Sequence, residues 1–276
     1  MLIIDSQIHL WSPDVATRPW PPARTRDAHG PALSAEQVLR VMDDAGVTRA
    51  VLVPPSWIGD DNTDCIEAAR RWPDRFAVMG RFDPMASGAH AALERWREQP
   101  GMLGVRLTFH HPRWSAWLAD GSLDWFWDDA ERHHLPLMLF VPGQLRAIAL
   151  IAARHPSLRI ILDHLARPID RRNDEAFADL DDLLALARHD NVAVKASALP
   201  CSSTEPYPFP GLERHIRRVY EAFGAQRMLW GTDYSRLPVP YREALRHITQ
   251  GLGFLSAEDR EWILGLAAAR WIDWPM

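Results

Sequence analysis

Cysteine is scarce in this chain: Cys65 and Cys201 are the only two among 276 residues. Two thiols form one bridge at most, which excludes a disulfide-stapled scaffold. No apolar run approaches the roughly 18 residues that a membrane-crossing helix needs. Met1 leads straight into Leu2-Ile3-Ile4-Asp5, with no basic segment ahead of a long apolar one. No signal peptide and no membrane partner are therefore expected, and a cytoplasmic location is. Positive charge is not in excess either: 31 Lys and Arg stand against 36 Asp and Glu, a formal net charge of -5. That balance argues against a nucleic-acid partner. No glycine-rich loop follows a strand-like run, so a phosphate cradle, and with it an open nucleotide-binding sheet, is not expected.

What the chain does have is apolar residues, 47% of the total, distributed in a recurring pattern. Strand-like runs fall at residues 2–10, 50–54, 76–82, 104–109, 137–141, 159–163, 192–196 and 228–231. Several, such as "AVLVP", "LMLFV" and "RIILD", are apolar without alternation, as strands buried on both faces should be. Eight such runs in 276 residues give about 34 residues per unit, the length of a strand-helix repeat. Helix signals fill the gaps. Ser34 followed by Gln37 makes a capping box and Gly46 a C-terminal stop, while Ser256 and Asp259 open the last helix in the same way. Helical spacing also runs through residues 86–99, 125–134, 145–155 and 176–189. The expected architecture is a single α/β domain, residues 1–276, folded as a (β/α)8 TIM barrel. Two segments depart from the repeat, residues 12–31 and 200–211. Both follow C-terminal strand ends, where loops of such a barrel surround the active site.

Polar residues concentrate at those same strand ends. They are Gln7 and His9 on the first strand, Arg106, Thr108 and His110 on the fourth, and Asp163 and His164 on the sixth. The seventh strand carries Lys195 and Ser197, and the eighth ends at Asp233. A charge inside an apolar strand must be paired, so Arg106 and Lys195 read either as structural ion-pair partners or as anion-binding groups. Asp233, in "MLWGTDYS", is the strongest single candidate for a chemical task. His9 alone reads equally well as a buried structural histidine. His133 and His134 sit near a helix end and read as structural. Gln144 and Tyr234 are pocket candidates. Thirteen tryptophans fit barrel packing, an apolar pocket rim (Trp11, Trp20, Trp57) or a homo-oligomer interface equally well.

Taken in order, "IDSQIHLW", "GVRLTFH", "IILDHLARP", "NVAVKAS" and "RMLWGTDYS" resemble the amidohydrolase-related (amidohydrolase 2) family. The likeness is to the branch holding 2-pyrone-4,6-dicarboxylate lactonase and the sugar-lactone hydrolases. The resemblance implies an amidohydrolase-like barrel with Asp233 as general base, His9 as the second histidine of strand 1 and His164 as the histidine of the "DH" motif. It also implies Arg106 as the group that binds a substrate carboxylate. The chain departs from the family pattern at Gln7, which stands where a His-x-His pair would have its first imidazole. An amide oxygen is a poor ligand for a transition metal. The expectation is therefore a hydrolase with no required cofactor. If a divalent ion such as zinc or manganese is held, His9, His164 and Asp233 are its candidate ligands.

On this reading Asp233 activates water, while His9, His164 and Gln7 polarise the carbonyl of a lactone and hold the oxyanion. Arg106, Lys195, His110 and Tyr234 are expected to contact the small-molecule substrate, a sugar acid or small organic acid in cyclic ester form. Two other readings stand beside it. One is a metal-dependent nonoxidative decarboxylase of an aromatic or muconate-type acid; the other is a barrel that binds a ligand without turnover.

Overall fold

The computed structural model describes residues 1–21 and 30–276. Of the first irregular segment, residues 22–29 lie outside the described residues. The eight strands are β1 (Ile4–Ile8), β2 (Arg49–Leu52), β3 (Phe76–Arg81), β4 (Met102–Thr108), β5 (Leu137–Phe140), β6 (Ile160–Leu162), β7 (Val192–Ser197) and β8 (Met228–Gly231). They form one sheet in sequence order, and every consecutive pair is parallel. A bond from Asp233 N–H to Gln7 O at 3.0 Å joins the last strand's end to the first. The result is the (β/α)8 barrel that the eight apolar runs imply.

Two apolar layers hold it. Ile4, Val51, Met79, Met138, Ile161 and Leu229 meet inside the barrel. Residues of the opposite strand faces, among them Ile8, Leu52, Val78 and Leu139, pack outward against the helices. Ile4 and Ile8 are four residues apart and should share a face by strict alternation. They do not, because the β1–β2 register shifts between Asp5 and Ile8. A bulge there changes the phase of the strand and brings Gln7 and His9 to the cavity side.

The seam between β1 and β8 is stitched by a side chain. Asp5 Oδ1 accepts from Gln7 N–H at 3.0 Å and Thr232 N–H at 2.9 Å. Its Oδ2 accepts from Thr232 Oγ1 at 2.5 Å and the Tyr241 hydroxyl at 2.8 Å. Burial pushes this carboxyl up to about 6 against the pull of those four donors. Gly231 permits the close approach, since a Cβ there would lie 2.6 Å from Ser6 Oγ.

Helices follow their sequence signals. Ser34 caps Ala35–Ala45 with a complete capping box, and Gly46 ends it in the left-handed region at φ 76°. Val38 and Met42 on its inner face are fully buried; truncating either to Ala is expected to cost about 2–4 kcal/mol. Ser256 caps Ala257–Glu261 in the same manner. Two runs behave differently: residues 86–99 split into Ala89–Glu94 and the 3-10 turn Trp96–Glu98, and residues 176–189 into Leu180–Ala185 and the 3-10 turn Leu186–Arg188. The C-terminal segment crosses the foot of the barrel. Arg49, at the start of β2, donates to Pro275 O at 2.5 Å, and Arg159, ahead of β6, pairs with Asp273. None of the thirteen tryptophans is fully exposed.

Candidate active site

Strands β6 to β8 end in strained backbone. His164, Leu165 and Ala166 are consecutively left-handed, at φ 54°, 56° and 55°, and Ala198 and Asp233 adopt the same region. Each such residue costs about 1–2 kcal/mol, and strain of this kind collects at functional sites. Here it turns His164 and Asp233 into a common cavity of about 350 Å³ at the C-terminal mouth of the barrel. Gln7, His9, Arg106 and His110 line the same cavity.

The hydrogen bonds fix the roles of most atoms. His9 Nδ1 donates to Val53 O at 2.5 Å, and its Nε2 lies 2.8 Å from Asp233 Oδ1. Both ring nitrogens of His9 thus face oxygen acceptors. Lys195 has only donors and gives one to Gln7 Oε1, which turns the Gln7 amide nitrogen inward. That nitrogen donates to Asp233 Oδ1 at 3.3 Å and to His164 Nε2 at 3.2 Å. His164 Nε2 is thus an acceptor, and its Nδ1 carries the proton to Ser197 Oγ at 2.8 Å. Burial pulls His164 down to about 4, against the attraction of Asp233 and Asp163, so the ring is neutral at pH 7. Burial alone would raise the Asp233 carboxyl, but its imidazole neighbours and Arg236 hold it well below the usual range. Asp233 Oδ2 is the less engaged oxygen, 3.9 Å from His164 Nε2 and 3.8 Å from Arg236 Nε.

Beneath these groups lies a buried ionic triad. Asp163 forms an ion pair with Lys195 at 2.9 Å and accepts from Arg106 Nε at 3.0 Å. Burial raises the Asp163 carboxyl, and the two cations more than reverse that. Arg106 still lines the cavity, whereas Lys195 is fully buried and reaches it only through Gln7. His110 lines the cavity with Nδ1 2.5 Å from Thr108 Oγ1. Tyr234 is not part of the cavity wall; its ring packs 5.5 Å from that of Tyr241. Gln144 does not line the cavity either. Sequence reasoning missed Asp163 as a partner and missed Arg236. Two buried cations on β4 and β7 were a signal that an anion must lie between them.

The donor set does not fit a divalent ion. Gln7's one basic atom is bound to Lys195, its amide hydrogens face His164 Nε2 and Asp233 Oδ1, and His9 Nε2 is engaged with the carboxylate. Among the described residues no three His, Cys, Asp or Glu side chains form a group that could hold a metal.

The family model described as Amidohydrolase matches residues 4–274. An L-fucono-1,5-lactonase of Burkholderia ambifaria is 31% identical over 236 residues, 84% of this chain and 79% of that relative. Among solved structures, an amidohydrolase from Burkholderia multivorans with bound zinc matches with TM-score 0.84 at 24% identity, covering 100% of both chains. A Pseudomonas putida protein assigned as a 2-pyrone-4,6-dicarboxylic acid hydrolase matches with TM-score 0.78 at 22% identity, covering 100% of this chain and 98% of the other. At these identities the solved structures speak to the fold, and the family match spans nearly every residue. The chain belongs to the amidohydrolase family.

Proposed function

We propose that this protein is a lactonase that opens the cyclic ester of a small sugar acid or organic acid, with Asp233 as the base. The observation that carries the reading is the pairing at Asp233. One oxygen receives two donors, His9 Nε2 at 2.8 Å and Gln7 Nε2 at 3.3 Å, while the other is left for water. A lactone carbonyl entering the cavity takes over the donors now spent on Oδ1. Water attacks the carbonyl carbon as Asp233 accepts its proton, and the tetrahedral oxyanion rests against the Gln7 and His9 donors. Collapse breaks the ring C–O bond, and the departing alkoxide recovers the proton from Asp233. The product is an open hydroxy acid, ionised at neutral pH. No metal is required for any of these steps.

A cavity of about 350 Å³ lies near the small end of ligand sites and suits a single ring. The likeness to an L-fucono-1,5-lactonase makes that lactone the first to test, with 2-pyrone-4,6-dicarboxylate beside it. Ring opening releases a proton, so a lactone panel followed by pH-stat reads the reaction directly. Turnover of a sugar or pyrone lactone is the expected result. Carbon dioxide release from an aromatic or muconate-type acid without lactone turnover would replace this reading with the decarboxylase one, and binding without turnover would replace it with the silent barrel.

A further inference from the structure

Beside His164 the main cavity has a side recess of about 20 Å³, walled by His164, Arg167, Cys201, Asp233 and Arg236. That volume admits about one water-sized group. Arg167 is only 4% exposed. Its Nη2 donates to Ser197 O at 3.2 Å, but its buried Nε and Nη1 have no acceptor. No carboxylate among the described residues pairs with it. The other buried cations of the site, Arg106 and Lys195, share Asp163; Arg167 has no such partner. Its guanidinium lies over the Phe177 ring at 5.2 Å, which fixes the plane and leaves the N–H edge to find acceptors. Burial pulls the group down to about 10, so it keeps its charge at neutral pH. A buried guanidinium with unspent donors needs an acceptor from outside the chain, and this one borders a recess opening on the catalytic carboxylate.

We propose that Arg167 anchors an anion subsite that takes one carboxylate oxygen of the ligand in the recess between His164 and Arg236. The inference rests on the lactonase reading in one respect, that a carboxylate is among the groups this site must handle. Two sources supply that chemistry: a carboxylate borne on the lactone ring, or the one released by ring opening. Arg is suited to either because its fixed fork of donors matches carboxylate geometry.

The test is calorimetric binding of a panel of C4–C6 aldonates, each beside its uncharged alditol, to the wild type, Arg167→Gln and Arg167→Lys. The wild type is expected to prefer at least one aldonate over its alditol by about tenfold or more. Arg167→Gln should lose that preference, and its ligand-free melting temperature should not fall, because an unpaired buried charge has been removed. Arg167→Lys keeps the charge without the fork and should hold the aldonate several-fold more weakly. Should Arg167→Gln yield no folded protein, the wild-type preference and the Arg167→Lys loss decide the matter. No aldonate preference in the wild type, or unchanged aldonate affinity in the variants with a lowered melting temperature, would overturn the proposal and leave Arg167 a structural residue.

Kinetics with Arg167→Gln separate the sources. Weaker product inhibition with neutral lactones assigns the recess to the newly formed carboxylate. A raised KM confined to lactones with a ring carboxylate assigns it to the substrate's own. Binding needs no turnover, so a protein that prefers aldonates yet hydrolyses nothing fails the lactonase reading and keeps this one.

Discussion

Lys195 donates its ammonium to Gln7 Oε1 from beneath the cavity floor, and that bond decides which end of the Gln7 amide faces Asp233. A lysine cannot accept a hydrogen bond, so the oxygen points down and the NH2 group points up. A residue that reads in the sequence as a weakened metal ligand thereby becomes a fixed donor beside the Asp233 carboxylate.

Replacing Lys195 by Met should free that amide to rotate. The loss of one oriented oxyanion donor is expected to lower kcat by about 100-fold, with KM changed far less. The same change leaves Asp163 with Arg106 as its one cation, and urea unfolding should show a loss of about 3 kcal/mol. An unchanged kcat in a folded Lys195→Met protein would contradict the positioning role.

Gln7→His supplies the imidazole that the family pattern has at this position. If the barrel geometry is otherwise intact, zinc per chain measured by elemental analysis should rise relative to the wild type. Equal zinc in both proteins would mean that more than one amide separates this site from a metal site.

Acid should weaken the fold through its buried histidines. Burial pulls His164 and His247 from 6.5 to about 4. Between those values the folded chain binds fewer protons than the unfolded one, so stability is lost as pH falls through the window. Each histidine accounts for roughly 3 kcal/mol. Asp5, pushed from 3.8 up to about 6, works in the opposite direction by roughly as much as one histidine over nearly the same window. A net loss of roughly 3 kcal/mol between pH 6.5 and pH 4 is expected from urea midpoints. His247→Phe should nearly flatten that dependence. The His164 titration also marks an acid limit to activity near pH 4, where its Nε2 ceases to accept from Gln7.

Tyr241→Phe removes one of the four donors to Asp5 at the β1–β8 seam. A hydrogen bond to a buried carboxylate contributes about 1.5–3 kcal/mol, and the variant should lose that much stability. Amide exchange should quicken at Gln7 and Thr232, whose N–H groups share the same carboxylate. A variant as stable as the wild type would show that the seam does not depend on Asp5.

The strands were legible because both of their faces are buried, so the runs at β2, β5 and β6 are apolar without interruption. The capping boxes at Ser34 and Ser256 were legible because capping is local chemistry. The cavity set Gln7, His9, Arg106, His110, His164 and Asp233 could be read from strand ends alone. What escaped is non-local. Asp5 reads as one more polar residue until β8 closes against it, and the bulge after it has no glycine to announce it. Lys195 looked like a substrate contact because nothing in "VAVKAS" tells that Asp163, Gln7 and Met138 Sδ surround its ammonium. Arg167 sits in the quoted motif "IILDHLARP", yet its lack of an acceptor appears only once the chain is folded.

Everything proposed for this site turns on Asp233 opening a lactone ring without a metal. The most direct test is the hydrolysis rate of wild type and Asp233→Asn after exhaustive chelation, on whichever lactone the panel identifies. The chelated wild type is expected to keep its full rate and the variant to lose about 1000-fold or more, since the isosteric amide cannot accept the proton from water. A chelated wild type that loses activity and regains it with zinc or manganese, or an Asp233→Asn protein that hydrolyses at the wild-type rate, would contradict it.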